Sequence, residues 1–232
     1  MPYQCAVIGL GRYGTEVALS LARRNFPVLA IDQDRELVES ISNDVDKALC
    51  FDTTSESALR DARINEMTYV VVAIGDDNVE SSILTTALLK QIGVPRIIAR
   101  AATDLHGKIL RIVGASEVVN PEREMGVRTA QRIITPGLAD LIPLSDGAAL
   151  AELRVPDSFV GQTMIDLRIR SRYGVTVVGI RRDVTDTEAG DGPVSPEKQF
   201  ILSPPPDLPF RLGDVLVIAG KEEDVKRLAT AT

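Results

Sequence analysis

At 232 residues the chain has room for one large domain, or for one of about 140 residues and a smaller companion. A hydrophobic fraction of 44% beside 25% charged residues fits an ordinary globular protein, and a net charge of -7 argues against a main role in gripping nucleic acid, which needs a basic surface. No apolar run approaches the ~18–20 residues that cross a bilayer, and no basic-then-apolar leader opens the chain, so the expected location is the cytoplasm, with any membrane role exercised through a partner.

Short apolar runs at 4–8, 28–31, 48–50, 69–74, 96–100 and 117–119 predict strands. Runs such as "YVVVAI" are apolar on both faces, as a parallel strand covered by helices on each side must be. Helical patterns lie between them: Val17, Leu21 and Ala22; Leu37, Val38 and Ile41; Ile83, Leu84, Ala87 and Leu88; Leu105, Ile109 and Ile112. Six such units predict a Rossmann-type doubly wound parallel sheet over 1–120. Pro121 opens a further helical stretch running to about 142 and broken at Pro136 and Gly137, so 121–145 reads as a crossover helix or linker.

The remainder, 146–232, has a different texture. "ALAELRVP" alternates, "GVTVVGIRR" is β-branched, and "RLGDVLVIAG" is a turn and strand before the short helix "KEEDVKRLA". An acidic loop, "RDVTDTEAGDGPVSPEK", and a polyproline-like connector, "SPPPDLP", separate them, which predicts a second, smaller mixed α/β domain. Cys5 and Cys50, each within an apolar stretch, read as buried thiols. His106, the only histidine, reads as a helix-surface or capping residue, with no partner at metal-ligand spacing.

The stretch "VIGLGRYGTEV" places Gly9, Gly11 and Gly14 between a predicted strand and helix. Gly9 permits the tight turn, Gly11 lets a phosphate approach the backbone, and Gly14 lets helix and strand pack closely. Asp32 ends the second strand, where a carboxylate accepts ribose hydroxyls and disfavours a 2′-phosphate; it also stands where a helix N-cap could be needed. That acid serves ATP and NAD alike. A triphosphate carries more charge than a dinucleotide's pyrophosphate and calls for added cations, which Arg12 in the turn and Arg100 at the fifth strand's end are placed to supply.

The segments "VIGLGRYG", "AIDQD", "YVVVAIG", "IIARA", "GASEVVNPEREMG", "GVTVVGI" and "LGDVLVIAG" together resemble the TrkA/KtrA family, the RCK-type cytosolic regulators of bacterial potassium uptake. The resemblance spans both halves of the chain in order. It implies an RCK N-lobe and C-lobe, with Gly9, Gly11, Arg12, Tyr13 and Gly14 as the phosphate loop and Asp32 on the adenosine ribose. Asp52 and Thr53 in "CFDTT" correspond to the family's "GDAT" beside the adenine, with Phe51 in place of its glycine. Ala73, Ile74 and Gly75 lie under the ribose, Arg100 lies near ribose and phosphates, and Glu122 in "NPEREMG" helps place Mg²⁺ or another divalent cation. The resemblance further implies ATP or ADP as ligand, with NAD or NADH as the alternative. It also implies a homodimer assembling into an octameric ring, and a membrane potassium channel or transporter as partner. For cyclic di-AMP the family uses Asp-x-Arg and a later Asn; this chain has Arg168, Arg170 and Thr176, which speaks against that ligand.

The rival reading is an NAD-dependent dehydrogenase or a redox-sensing Rossmann protein. A dehydrogenase needs a proton-transfer group over the nicotinamide. The lone His106 is a poor candidate and no tyrosine has a lysine four residues on, so the expectation is a sensor and not an enzyme.

Overall fold

A computed structural model describes residues 4–135, 137–184 and 197–230. The chain divides into two compact units, Met1–Glu124 and Met125–Thr232.

In the first unit, strands β1 (Cys5–Ile8), β2 (Val28–Asp32) and β3 (Lys47–Cys50) alternate with helices α1 (Arg12–Ala22), α2 (Arg35–Ile41) and α3 (Glu56–Asp61). Strands β4 (Tyr69–Val72), β5 (Arg96–Arg100) and β6 (Glu117–Val119) follow, with α4 (Val79–Ile92), α5 (Asp104–Val113) and the opening of α6 (Pro121–Ile134). All strands run parallel in the order β3-β2-β1-β4-β5-β6, so the fold is the doubly wound Rossmann-type sheet. Successive β1 residues feed opposite cores: Ala6 and Ile8 join Leu29, Ile31, Val70 and Val72, while Cys5 and Val7 join Val28, Ala30 and Val71. The strand order reverses between β1 and β4, and chains diverging there open a crevice at the strands' carboxyl ends.

Helices α4 and α5 depart from a simple amphipathic reading. On α4 the buried residues are Ser82, Thr85, Thr86 and Leu89, and on α5 they are His106, Gly107 and Leu110. Leu84, Leu105 and Ile112, which carry the apolar spacing, are 47%, 67% and 83% exposed. Close approach is the reason on α5: a Cβ at Gly107 would stand 3.3 Å from Val118 Cγ1. On α4 the buried Thr86 hydroxyl donates to Ser82 O at 2.7 Å.

The second unit is a five-stranded antiparallel sheet, in the order β10-β9-β11-β8-β7, with helices α7 (Met164–Leu167), α8 (Ile169–Tyr173) and α9 (Glu222–Ala229). Its strands are β7 (Leu138–Pro143), β8 (Ala148–Arg154), β9 (Thr176–Val184), β10 (Glu197–Leu202) and β11 (Val215–Lys221). One sheet face builds a core of Leu138, Ala151, Leu153, Ile180, Leu216 and Ile218 with Tyr173, Val225 and Leu228 from the helices.

The structure corrects the expected helix to 142. Helix α6 ends at Ile134, Gly137 takes φ +97, and the chain turns back as strand β7, antiparallel to β8. The left-handed residue reverses the chain and the strand then buries Leu138. Of the acidic loop read at 182–198, the part from 185 to 196 lies outside the described residues.

Candidate functional site

The loop after β1 is set by glycine sterics. Gly9 sits at φ +92, its amide donates to Ile31 O at 2.8 Å, and an added Cβ would come within 2.9 Å of Ala73 C. At Gly14 an added Cβ would lie 1.8 Å from Gly9 O, so α1 packs directly on the turn. Nothing stands within 4 Å of the corresponding point at Gly11, which leaves that approach open to a ligand.

Helix α1 begins at Gly11 with no side-chain cap and no acid in its first turn. Asp34 caps α2, Ser55 caps α3, Thr103 caps α5 and Thr163 caps α7, whereas α4, α8 and α9 also start without a side-chain cap but carry first-turn acids on α4 and α9. The first amides of α1 are therefore left for an anion, at the positive end of the helix dipole. Arg12, the first helical residue, is exposed and makes no ion pair among the described residues.

Asp32 braces this loop. Its Oδ2 accepts the Leu10 amide at 2.6 Å and its Oδ1 the Asp34 amide at 2.9 Å. The N-cap of α2 is Asp34, whose Oδ1 accepts the Glu36 amide at 2.9 Å, so Asp32 is not needed for that task.

A cleft of about 280 Å³ opens at the switch point. Gly9 and Gly11 form one wall, with Asp32, Gln33, Asp34 and Leu37 from the β2–α2 junction and Phe51, Asp52 and Thr53 from beyond β3. Ala73, Ile74 and Gly75 close it from beyond β4, with Asn78 and Ser81 at the α4 end. The volume lies just below the ~300–1,000 Å³ usual for ligand sites, and the cleft adjoins the open start of α1 through Gly11. Its three carboxylates and absence of lining cations oppose a 2′-phosphate.

Asp52 Oδ1 accepts both the Thr54 amide at 2.9 Å and the Thr54 hydroxyl at 2.8 Å, which hold its carboxyl below the usual range. Thr53 is buried and its hydroxyl meets that of Thr85 at 2.9 Å.

Arg100 and Glu122 come together outside this cleft. Arg100 Nη2 donates to Glu122 Oε1 at 2.8 Å and lies 3.1 Å from Asp76 Oδ1. Tyr13 is half-buried on α1; burial, then the carboxylates of Glu124 and Glu117, push its phenol up, while Arg100 opposes them. Among the described residues, no three histidine, cysteine or acidic groups gather as a metal site, so Glu122 fits a cation only where phosphate oxygens and waters complete the shell.

Thus Gly9, Gly11, Asp32, Asp52, Thr53, Ala73, Ile74 and Gly75 share one cleft, with Gly14 packed beneath it. Arg12, Tyr13, Arg100 and Glu122 do not line it. Gln33, Leu37, Asn78 and Ser81 are cleft residues that sequence reasoning missed, as it missed the Asp76 partner of Arg100 outside the cleft; Asp34 carried a signal in its Asp-x-Asp spacing before a helical run.

Two further expectations are corrected. Cys5 is buried, which pushes its thiol up to about 11, but Cys50 is exposed because it ends the edge strand β3. His106 is 4% exposed, so the surface alternative is corrected, while the capping alternative fits: its Nδ1 accepts the amide of Ala102, just before the α5 N-cap, at 3.2 Å.

Residues 5–121 match the TrkA-N domain and residues 150–231 the TrkA-C domain. The chain is 34% identical over 227 residues to the Ktr system potassium uptake protein C of Bacillus subtilis (strain 168), covering 98% of this chain and 96% of that protein. It is 36% identical over 224 residues to the Ktr system potassium uptake protein A of the same organism, covering 97% and 94%. A solved GsuK channel structure shares the fold at TM-score 0.68 and 18% identity over 99% of this chain, which spans 39% of that longer chain.

Proposed function

The chain belongs to the TrkA family, and on that premise we propose that it is a cytosolic subunit that senses ATP or ADP and gates a membrane potassium channel or transporter. Its relatives are potassium uptake proteins, not enzymes. Among the described residues no helix is long and apolar enough to cross a membrane, which supports action through a partner.

The observation that carries the nucleotide reading is the pairing of the switch-point cleft with an uncapped helix start beside it. Arg12 adds the one exposed cation at that start, and a terminal phosphate is the charge it would read. NAD or NADH would use the same cleft and leave Arg12 less to do. Mg²⁺ would reach Glu122 with the phosphates, which it would help to neutralise.

In this reading 1–120 is the nucleotide-binding lobe, α6 within 121–145 is the crossover, and 146–232 together with strand β7 is the regulatory and dimerisation lobe. Assembly of homodimers into an octameric ring is part of this reading because the family resemblance implies it, and Leu84, Leu105 and Ile112 are among the exposed apolar side chains such contacts could cover. Moving a gate from 1:99 to 99:1 takes about 5.5 kcal/mol of differential binding, or about 0.7 kcal/mol from each of eight sites. Exchange of one charge-assisted contact supplies that much.

The test is a thermal-shift comparison of ATP, ADP, NAD and NADH, with and without Mg²⁺. Ligand at about 100 times its dissociation constant adds about 2.7 kcal/mol of stability. Stabilisation by NADH alone would overturn the adenine-phosphate reading. Arg12→Ala should weaken ATP more than ADP, and an equal loss would show that Arg12 does not read the terminal phosphate. Light scattering that finds only monomer at micromolar concentration would refute the ring.

A further inference from the structure

Arg100 is an unusual cation for a phosphate site. Its side chain is 13% exposed, and Nη2 alone faces two carboxylates, Asp76 at 3.1 Å and Glu122 at 2.8 Å. Two negative charges against one positive leave the trio net negative, a poor receptor for phosphate. The two acids, however, are 55% and 59% exposed, so neither is locked in place. The Arg100 Nε is buried with no hydrogen-bond partner among the described residues, so the polar contacts that the guanidinium makes there run from Nη2 to these two carboxylates.

The two acids come from different places. Asp76 sits in the segment after β4, between Gly75 and Asn78, which both line the cleft. Glu122 is the second residue of α6, the helix along which the chain passes from the first unit to the second. One guanidinium therefore ties the cleft rim to the first turn of that helix.

We propose that Asp76 is a positioning residue: it holds Arg100 against Glu122, so that a nucleotide pressing on the segment from Gly75 to Asn78 is felt at the start of α6. Arg100 acts on α6 through Glu122, while Arg12 and the open amides of α1 are the first groups to meet the phosphate charge. The physical element is an ion triad with one buried and two exposed members, whose exposed carboxylates can exchange a protein contact for water at little cost. This inference rests on the nucleotide reading above.

The experiment compares hydrogen–deuterium exchange of the amides at 121–126 in the full chain with and without Mg-ATP, for wild type, Asp76→Asn and Asp76→Glu. In wild type, ATP should slow this exchange by about tenfold, and in Asp76→Asn by less than about twofold, while the thermal shift produced by ATP persists. Asp76→Glu should restore most of the effect. The thermal shift of Asp76→Asn verifies in the same samples that the variant folds. Equal slowing in wild type and Asp76→Asn would overturn the coupling role alone, whereas no thermal shift in wild type would overturn the nucleotide reading and this inference with it.

Discussion

Each unit contains an arginine whose guanidinium is mostly out of water, Arg100 in the first and Arg182 in the second, and the two are held in opposite ways. Arg182 and Asp214 are 7% and 1% exposed and meet in a fork, Nε to Oδ1 at 2.8 Å and Nη2 to Oδ2 at 2.6 Å. The fork is closed by Pro209 O, which accepts from Nη2 at 3.0 Å, and by the Arg211 amide, which donates to Oδ2 at 2.8 Å. Arg100 is nearly as buried, yet both its carboxylates stand in solvent. The difference teaches that exposure of the carboxylate, more than of the arginine, separates a structural pair from an exchangeable one. A buried acid has no water to replace its partner, while an exposed one does.

Breaking the closed pair should give the largest effect. Asp214→Ala strands a buried cation, which should cost about 3–5 kcal/mol and lower the urea midpoint; a loss no larger than at Asp76 would erase the contrast. Next comes Gly14→Ala, whose Cβ would overlap Gly9 O at 1.8 Å. That collision should cost about 1–3 kcal/mol or more in chemical denaturation and also weaken ATP, tying the phosphate loop to the rigid class. Asp76→Asn should change stability by less than about 1 kcal/mol, a value that sharpens the exchangeable class when measured beside Asp214→Ala.

The smallest effect, absent at neutral pH, concerns His106. Burial lowers its pKa from the usual 6.5, and the Asp76 carboxylate opposes that shift. The folded protein thus binds this proton less readily than the unfolded chain does. Stability should be full above pH 6.5 and decline as the pH falls from there through the folded value. His106→Gln should flatten that part of a stability–pH curve, and Asp76→Asn should steepen it; an unchanged slope in both would remove His106 from the account.

Much of the first unit was legible because its signals are local. The six strands and the glycine turn after β1 follow from apolar runs and from glycines whose sterics bear on close neighbours. The cleft was legible through Asp32, Asp52 and the residues after β4, since a doubly wound sheet brings its strand ends to one crevice. Strand β7 was hidden because it follows a helix after only three residues and "LADLIP" lacks clean alternation. Strand β10 was hidden because "EKQFIL" opens with three polar residues, so its pairing with β9 is a long-range event. The exposure of Cys50 depends on β3 being an edge strand, which composition does not reveal.

What the sequence by itself determined is the parallel sheet, the glycine turn after β1 and the acid beside it, because periodicity and glycine sterics act over a few residues. Only the tertiary structure decided that Arg12 makes no ion pair among the described residues while Arg100 is paired with Asp76 and Glu122. Only it decided, too, that α4 and α5 turn Ser82, Thr85, Thr86 and Gly107 inward and leave Leu84, Leu105 and Ile112 in water. The reason is common to both: whether a charge is paired, or which helix face is buried, is set by how closely segments distant in the chain approach one another.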